Sequence, residues 1–160
     1  MEILMMKAYR RVCFGIAAGL LLSAPTLAVD DDEGACNGSV LRVPFASISN
    51  SGISGEASLC IGSEGVRGVV KVHSLKAGNA YTVWLFYNAN PPGRFDSTVP
   101  DSDRATFSGR VGGLIAASGS KITLLMFDHG PASNNPDTRA VNLLTPIGGV
   151  AAGQAVFTIP

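Results

Sequence analysis

The sequence predicts an all-β domain, an antiparallel β-sandwich of roughly seven to eight strands with one disulfide. Three observations point there. Runs rich in β-branched and aromatic residues recur about every 10 to 20 residues between clusters of Gly, Pro, Asn, Asp and Ser. Within those runs apolar and polar side chains alternate with the period of a half-buried strand. No stretch carries an apolar stripe of helical period over three turns.

Strands are expected near 39–48, 56–62, 65–75, 80–88, 104–111, 121–128, 138–144 and 153–159. In the first, Leu41, Val43 and Phe45 point together, and Pro44 suits an edge or a bulge because it has no N–H for the ladder. Ala57, Leu59 and Ile61 share one side of the second strand. The third turns Val66, Gly68, Val70 and Val72 inward and Arg67, Val69, Lys71 and His73 outward. The fourth, Ala80 to Tyr87, is apolar on both parities, so it is either covered on both faces or presents Trp84 and Phe86 outside. The run 104–111 has one dry face, Ala105, Phe107, Gly109 and Val111, and one wet face, Arg104, Thr106, Ser108 and Arg110. Ala155, Phe157 and Ile159 close the core. The stretch 89–103 reads as the longest loop.

Ahead of this domain, Lys7, Arg10 and Arg11 precede an apolar run from Val12 to Leu22, a breaker at Pro25 and small residues at Thr26 and Ala28. That is the pattern of a secretory signal peptide over 1–28, with an apolar run shorter than the roughly 20 residues a membrane-spanning helix needs. Residues 29–37, with the run Asp30-Asp31-Asp32-Glu33, are expected to form an acidic terminus, and 38–160 the sandwich domain. Two cysteines follow the signal, Cys36 and Cys60, in a chain bound for an oxidising compartment, secreted or periplasmic. Joining them closes a loop of about 25 residues and stabilises the fold by about 3 kcal/mol in the chain-entropy account.

Composition excludes several partners. Of 160 residues only 15% are charged, the formal net charge is zero, and no Lys/Arg run occurs after residue 28, so the electrostatic footprint of a nucleic-acid binder is missing. Once the signal is removed no membrane segment is expected. His73 and His129 are the only histidines, which leaves no ligand set for a transition metal and no expected cofactor. Asp96, Asp101 and Asp103 alternate in the long loop without the glycine and distal glutamate of a calcium loop, so they read as solvated acids.

Two groups of residues carry candidate chemistry. Trp84 and Phe86 share a parity, and the outward sides of neighbouring strands are able to bring His73, Phe127 or His129 beside them, the make-up of a binding face for a protein, peptide or carbohydrate. Asp128 and His129 end a strand before Gly130-Pro131, where an acid/base pair would sit at the mouth of a sandwich, with 89–103 as its lid, in a small hydrolase or isomerase. Against the second reading, adjacent strand residues point apart, and Asp128 suits the cap of a turn with His129 at the surface.

At Lys76-Ala77-Gly78 followed by Tyr81-Thr82-Val83-Trp84, and again at Asp128-His129-Gly130-Pro131, the chain resembles a loosely defined set of small secreted bacterial proteins of unassigned function. The resemblance spans roughly 56–160 and implies an immunoglobulin-like sandwich without an assigned activity. Further cysteines that such proteins carry after the His-Gly-Pro turn are missing from 142–154. The expectation is therefore a secreted, non-catalytic binding or structural module.

Overall fold

A computed structural model describes residues 36–88 and 93–160. The segment expected to be a signal peptide and the acidic run lie outside the described residues. Eight strands and one helix follow in order: β1 (Ser39–Ser47), β2 (Ser54–Gly62), β3 (Gly65–His73), β4 (Asn79–Tyr87), β5 (Gly93–Thr98), β6 (Arg104–Gly112), β7 (Lys121–Pro131), α1 (Pro136–Leu144) and β8 (Val150–Thr158).

Instead of two separate sheets, the strands form one antiparallel sheet in the order β5-β4-β7-β8-β1-β2-β3-β6, curled until its two edge strands approach each other. The sandwich expectation is corrected to a near-barrel for a local reason. From Ser39 to Phe45, β1 is bonded to β2; at Ala46 and Ser47 it pairs with Gln154 and Gly153 of β8, so one strand stitches both halves together. Over its first part β1 has a ladder on one side only, which is where Pro44 is tolerated. The β3–β4 and β6–β7 connections pass between the halves, giving Greek-key connectivity.

The alternation read from the sequence sets what fills the interior. Phe45, Ala57, Leu59, Val66, Val70, Phe107, Ile122, Leu124 and Phe157 are buried and pack together. Arg104, Thr106, Ser108 and Arg110 face outward and are exposed. Both parities of β4 are buried as far as Leu85, so this strand is covered on both faces.

Two expected elements differ. Residues 138–144, expected to be a strand, lie in α1. Asn135 caps that helix by accepting from the N–H groups of Asp137 (2.9 Å) and Thr138 (3.2 Å), and Pro136 follows in its first turn. The loop expected over 89–103 contains β5, whose Phe95 is buried in the core. Asp96 consequently has a structural task. Its carboxylate accepts from Ser97 N–H at 2.7 Å and, across the gap between the edge strands, from Ser108 N–H of β6 at 2.8 Å. Beside it the backbones approach so closely that a Cβ on Gly109 would stand 2.9 Å from the Phe95 carbonyl carbon.

Cys36 and Cys60 are joined, with 5.7 Å between their α-carbons. No helix among the described residues is long and apolar enough to cross a membrane.

Candidate functional site

The outer face of β4, continued by β5 on one side and β7 on the other, carries a further element of the fold. Antiparallel register sets Thr82 opposite Phe127, Trp84 opposite Leu125 and Phe86 opposite Thr123, with His129 continuing the outward row of β7. On the other side of β4, Arg94 of β5 pairs with Trp84. The helix α1 packs over β4 and β5, and the turn at Gly148-Gly149 closes over the β7 side. A Cβ on Gly149 would lie 2.8 Å from both His129 Cε1 and Phe127 Cβ, so the turn rests directly on the imidazole.

This cover is lightly held. None of the residues of α1 is buried, and its apolar Val141 and Leu144 are 51% and 54% exposed. Its C-terminal end is tethered by Arg94 Nη1 donating to the Leu143 carbonyl at 3.5 Å, a favourable place for a cation but a long bond. Beneath it, Trp84 is only 8% exposed, and its indole Nε1 has no hydrogen-bond partner. The neighbouring His129 sets Nε2 3.0 Å from the Thr82 hydroxyl, while its buried Nδ1 is also without a partner. Burial lowers the His129 pKa, with the negative charge of Asp128 opposing. Two orphaned ring nitrogens on one sheet face are a concentrated deficit, since an unpaired buried donor or acceptor costs about 1–3 kcal/mol.

Asp128 serves a different place. It pairs with Tyr81, on the opposite parity from His129. Its Oδ1 accepts from Asn79 Nδ2 at 3.0 Å and from Gly130 N–H at 2.8 Å, which is the turn-capping role the sequence suggests. Burial raises the Tyr81 phenol, the Lys76 N–H bonded to its oxygen at 2.9 Å opposes this, and the Asp128 charge adds to it. Asp128 and His129 thus leave β7 on opposite sides and do not form a catalytic pair.

The remaining candidates separate. Phe86 is half-buried at the edge of the covered face. His73 is exposed at the end of β3, with Ser54 Oγ 3.3 Å from Nε2 and Ser74 Oγ 3.2 Å from Nδ1, and it lies in the other half of the sheet from Trp84. Asp101 and Asp103 are exposed, and no group of three or more potential metal ligands occurs among the described residues. Sequence reading missed α1, Arg94 and Thr82 as parts of the site; Asn135-Pro136-Asp137, a cap followed by proline and an acid, was the available sign of the helix.

No protein-family model matches the chain, and no curated protein or solved structure does either.

Proposed function

We propose that this protein is an exported, non-catalytic module that binds carbohydrate on the outer face of β4 and β7, beneath α1. One observation carries the reading: Trp84 on β4, the strand that α1 packs over, and His129 on β7, under the Gly148-Gly149 turn, each hold a buried ring nitrogen without a partner on the same sheet face. A ligand with hydroxyl groups is able to satisfy both nitrogens, and the indole offers its flat apolar surface to a sugar ring. The basic and apolar pattern of the first 28 residues and the Cys36–Cys60 bridge support export to an oxidising compartment. Hydrolase or isomerase chemistry at Asp128 and His129 finds no support, because the two side chains diverge and Asp128 is engaged with Asn79 and Gly130.

Trp84 is the chain's sole tryptophan, so its emission reports directly on this face. Titration with cellohexaose, chitohexaose and xylohexaose is expected to give a saturable change for at least one of them. Asn135→Ala, which removes the cap of α1, is expected to raise acrylamide quenching of Trp84 and to tighten that binding. By calorimetry, Trp84→Phe, which keeps a ring and loses the N–H, is expected to bind about tenfold more weakly. Absence of any saturable response in both the native chain and Asn135→Ala, or unchanged affinity in Trp84→Phe, would falsify the assignment.

A further inference from the structure

The hydrogens on the two orphaned ring nitrogens decide what the β4–β7 face lacks. An indole Nε1 is a donor and never an acceptor. The role of His129 Nδ1 follows from Thr82. Among the described residues the Thr82 hydroxyl has one partner, His129 Nε2 at 3.0 Å, and the residue is fully buried. If Nε2 carried the ring hydrogen, the hydroxyl proton and the bare Nδ1 would both go unmet. If instead Thr82 donates to Nε2, both of those atoms are paired and the ring hydrogen sits on Nδ1, which leaves one unmet group in place of two. A protonated ring gives the same result at Nδ1, since both nitrogens of an imidazolium carry hydrogen.

Trp84 Nε1 and His129 Nδ1 are therefore both donors, and the face lacks two acceptors. Thr82 and Trp84 stand two residues apart on one side of β4, about 7 Å along the strand, so both donors are within reach of one short oligosaccharide. Beside them the outward row of β7 supplies Leu125 and Phe127, whose side chains accept nothing. Over Nδ1 lies the turn at Gly149, where a Cβ would stand 3.1 Å from that nitrogen. The Gly149 N–H donates to the Pro146 carbonyl at 3.4 Å, a long and weak bond, so the turn is easily displaced. Whatever replaces it has to bring acceptor oxygens to both rings.

We propose that the carbohydrate taken by this face is N-acetylated, a β-linked N-acetylhexosamine chain whose acetamido carbonyls accept from Trp84 Nε1 and His129 Nδ1. The inference rests on the carbohydrate reading above and narrows it. A sugar hydroxyl is able to accept from either ring, but it brings a proton of its own, for which the two rings and their apolar neighbours offer no acceptor. An amide carbonyl oxygen only accepts, and in a trans amide the N–H points the opposite way, out of the face. The acetamido methyl group adds apolar surface against the indole. Thr82 is a positioning residue here: it does not meet the sugar and acts by fixing which imidazole nitrogen carries the hydrogen.

Chitohexaose and cellohexaose share their linkage and differ by an acetamido group in place of a hydroxyl on each ring, so the pair isolates the group in question. Calorimetry on the chain after signal removal, and on Asn135→Ala with its loosened cover, is expected to give chitohexaose an affinity at least about tenfold above that of cellohexaose. Long-range proton–nitrogen NMR at about pH 7.5 is expected to place the His129 hydrogen on Nδ1. Thr82→Val, which frees Nε2 to take the hydrogen, is expected to move it there and to cut the preference to below about threefold; Thr82→Ser, which keeps the hydroxyl, is expected to retain both the Nδ1 hydrogen and the preference. Cellohexaose or xylohexaose bound as tightly as chitohexaose overturns the N-acetyl assignment and leaves the carbohydrate reading standing, whereas no binding of any of the three by either chain overturns both. A native chain with the hydrogen on Nε2, or a Thr82→Val chain that moves its hydrogen and keeps the full preference, also overturns the assignment.

Discussion

The position of His129 disfavours protonation of its imidazole. The Gly149 turn presses on the ring, Thr82 takes Nε2, and desolvation lowers the pKa more than Asp128 raises it. The unfolded chain therefore binds a proton on this residue at a pH where the folded chain does not, and stability rises with pH across that window. The contribution is present above the unfolded value near 6.5 and is lost as pH falls through the interval down to the depressed folded value. Urea midpoints measured at about pH 7.5 and about pH 5.5 are expected to fall in the native chain, and His129→Gln is expected to flatten that difference. An equal fall in the variant would assign the dependence to another group. Acidification is expected to raise Trp84 quenching in parallel, because protonation charges a ring lying under the same cover as the indole. Of the adjacent pair, the turn-capping role of Asp128 was legible from Asp-His-Gly-Pro. The burial of His129 was not, since the segment covering it lies twenty residues further along the chain.

Among the elements, the β5–β6 seam is where a small change has the largest structural effect. The edge strands approach without a regular ladder, and the contact rests on the Asp96 carboxylate and on the missing side chain at Gly109. Gly109→Ala places a methyl group against the Phe95 carbonyl, an atom that cannot rotate away, and is expected to destabilise by about 1–3 kcal/mol. Because Phe95 is buried beside that contact, chemical denaturation is the direct measure; a loss below about 0.5 kcal/mol would mean that the seam is free to widen. The sequence makes this seam hard to see. Arg94 to Thr98 alternates over only five residues between prolines and aspartates, so it reads as loop, although Phe95 is the inward residue of a strand. Residues 138–144 mislead in the opposite direction. Val141, Leu143 and Leu144 resemble a short strand, whereas the Asn135 cap and Pro136 start a helix that no long apolar stripe announces. The long strands β3, β6 and β7 were legible because a buried inner face enforces their parity over many residues, and β4 because its aromatic and β-branched run is apolar on both parities.

For the whole molecule, period-two alternation serves a sandwich and a barrel alike, since both need one dry face per strand. What decides between them is the change of partner within β1 and the meeting of the sheet edges, and neither leaves a repeating pattern in the sequence. The disulfide is a different kind of constraint. Cys60 alternates with the buried Ala57 and Leu59 row and shares the outward parity of Ser58, so the bridge ties the chain ahead of β1 to the outside of β2 and fills no core space. Its removal therefore leaves no cavity, and its effect is expected to act mainly through the unfolded chain, where closing a loop of about 25 residues contributes about 3 kcal/mol. Cys36→Ser/Cys60→Ser is expected to keep the native far-ultraviolet dichroism and to lose about that much stability in urea, with an unchanged denaturant slope against the reduced native chain. Mass spectrometry before and after reduction of the native protein is expected to differ by about two protons. A double variant as stable as the oxidised protein would show that β1 is held by its ladder and core contacts alone; one that fails to fold while the reduced native chain does fold would place the fault in the serines.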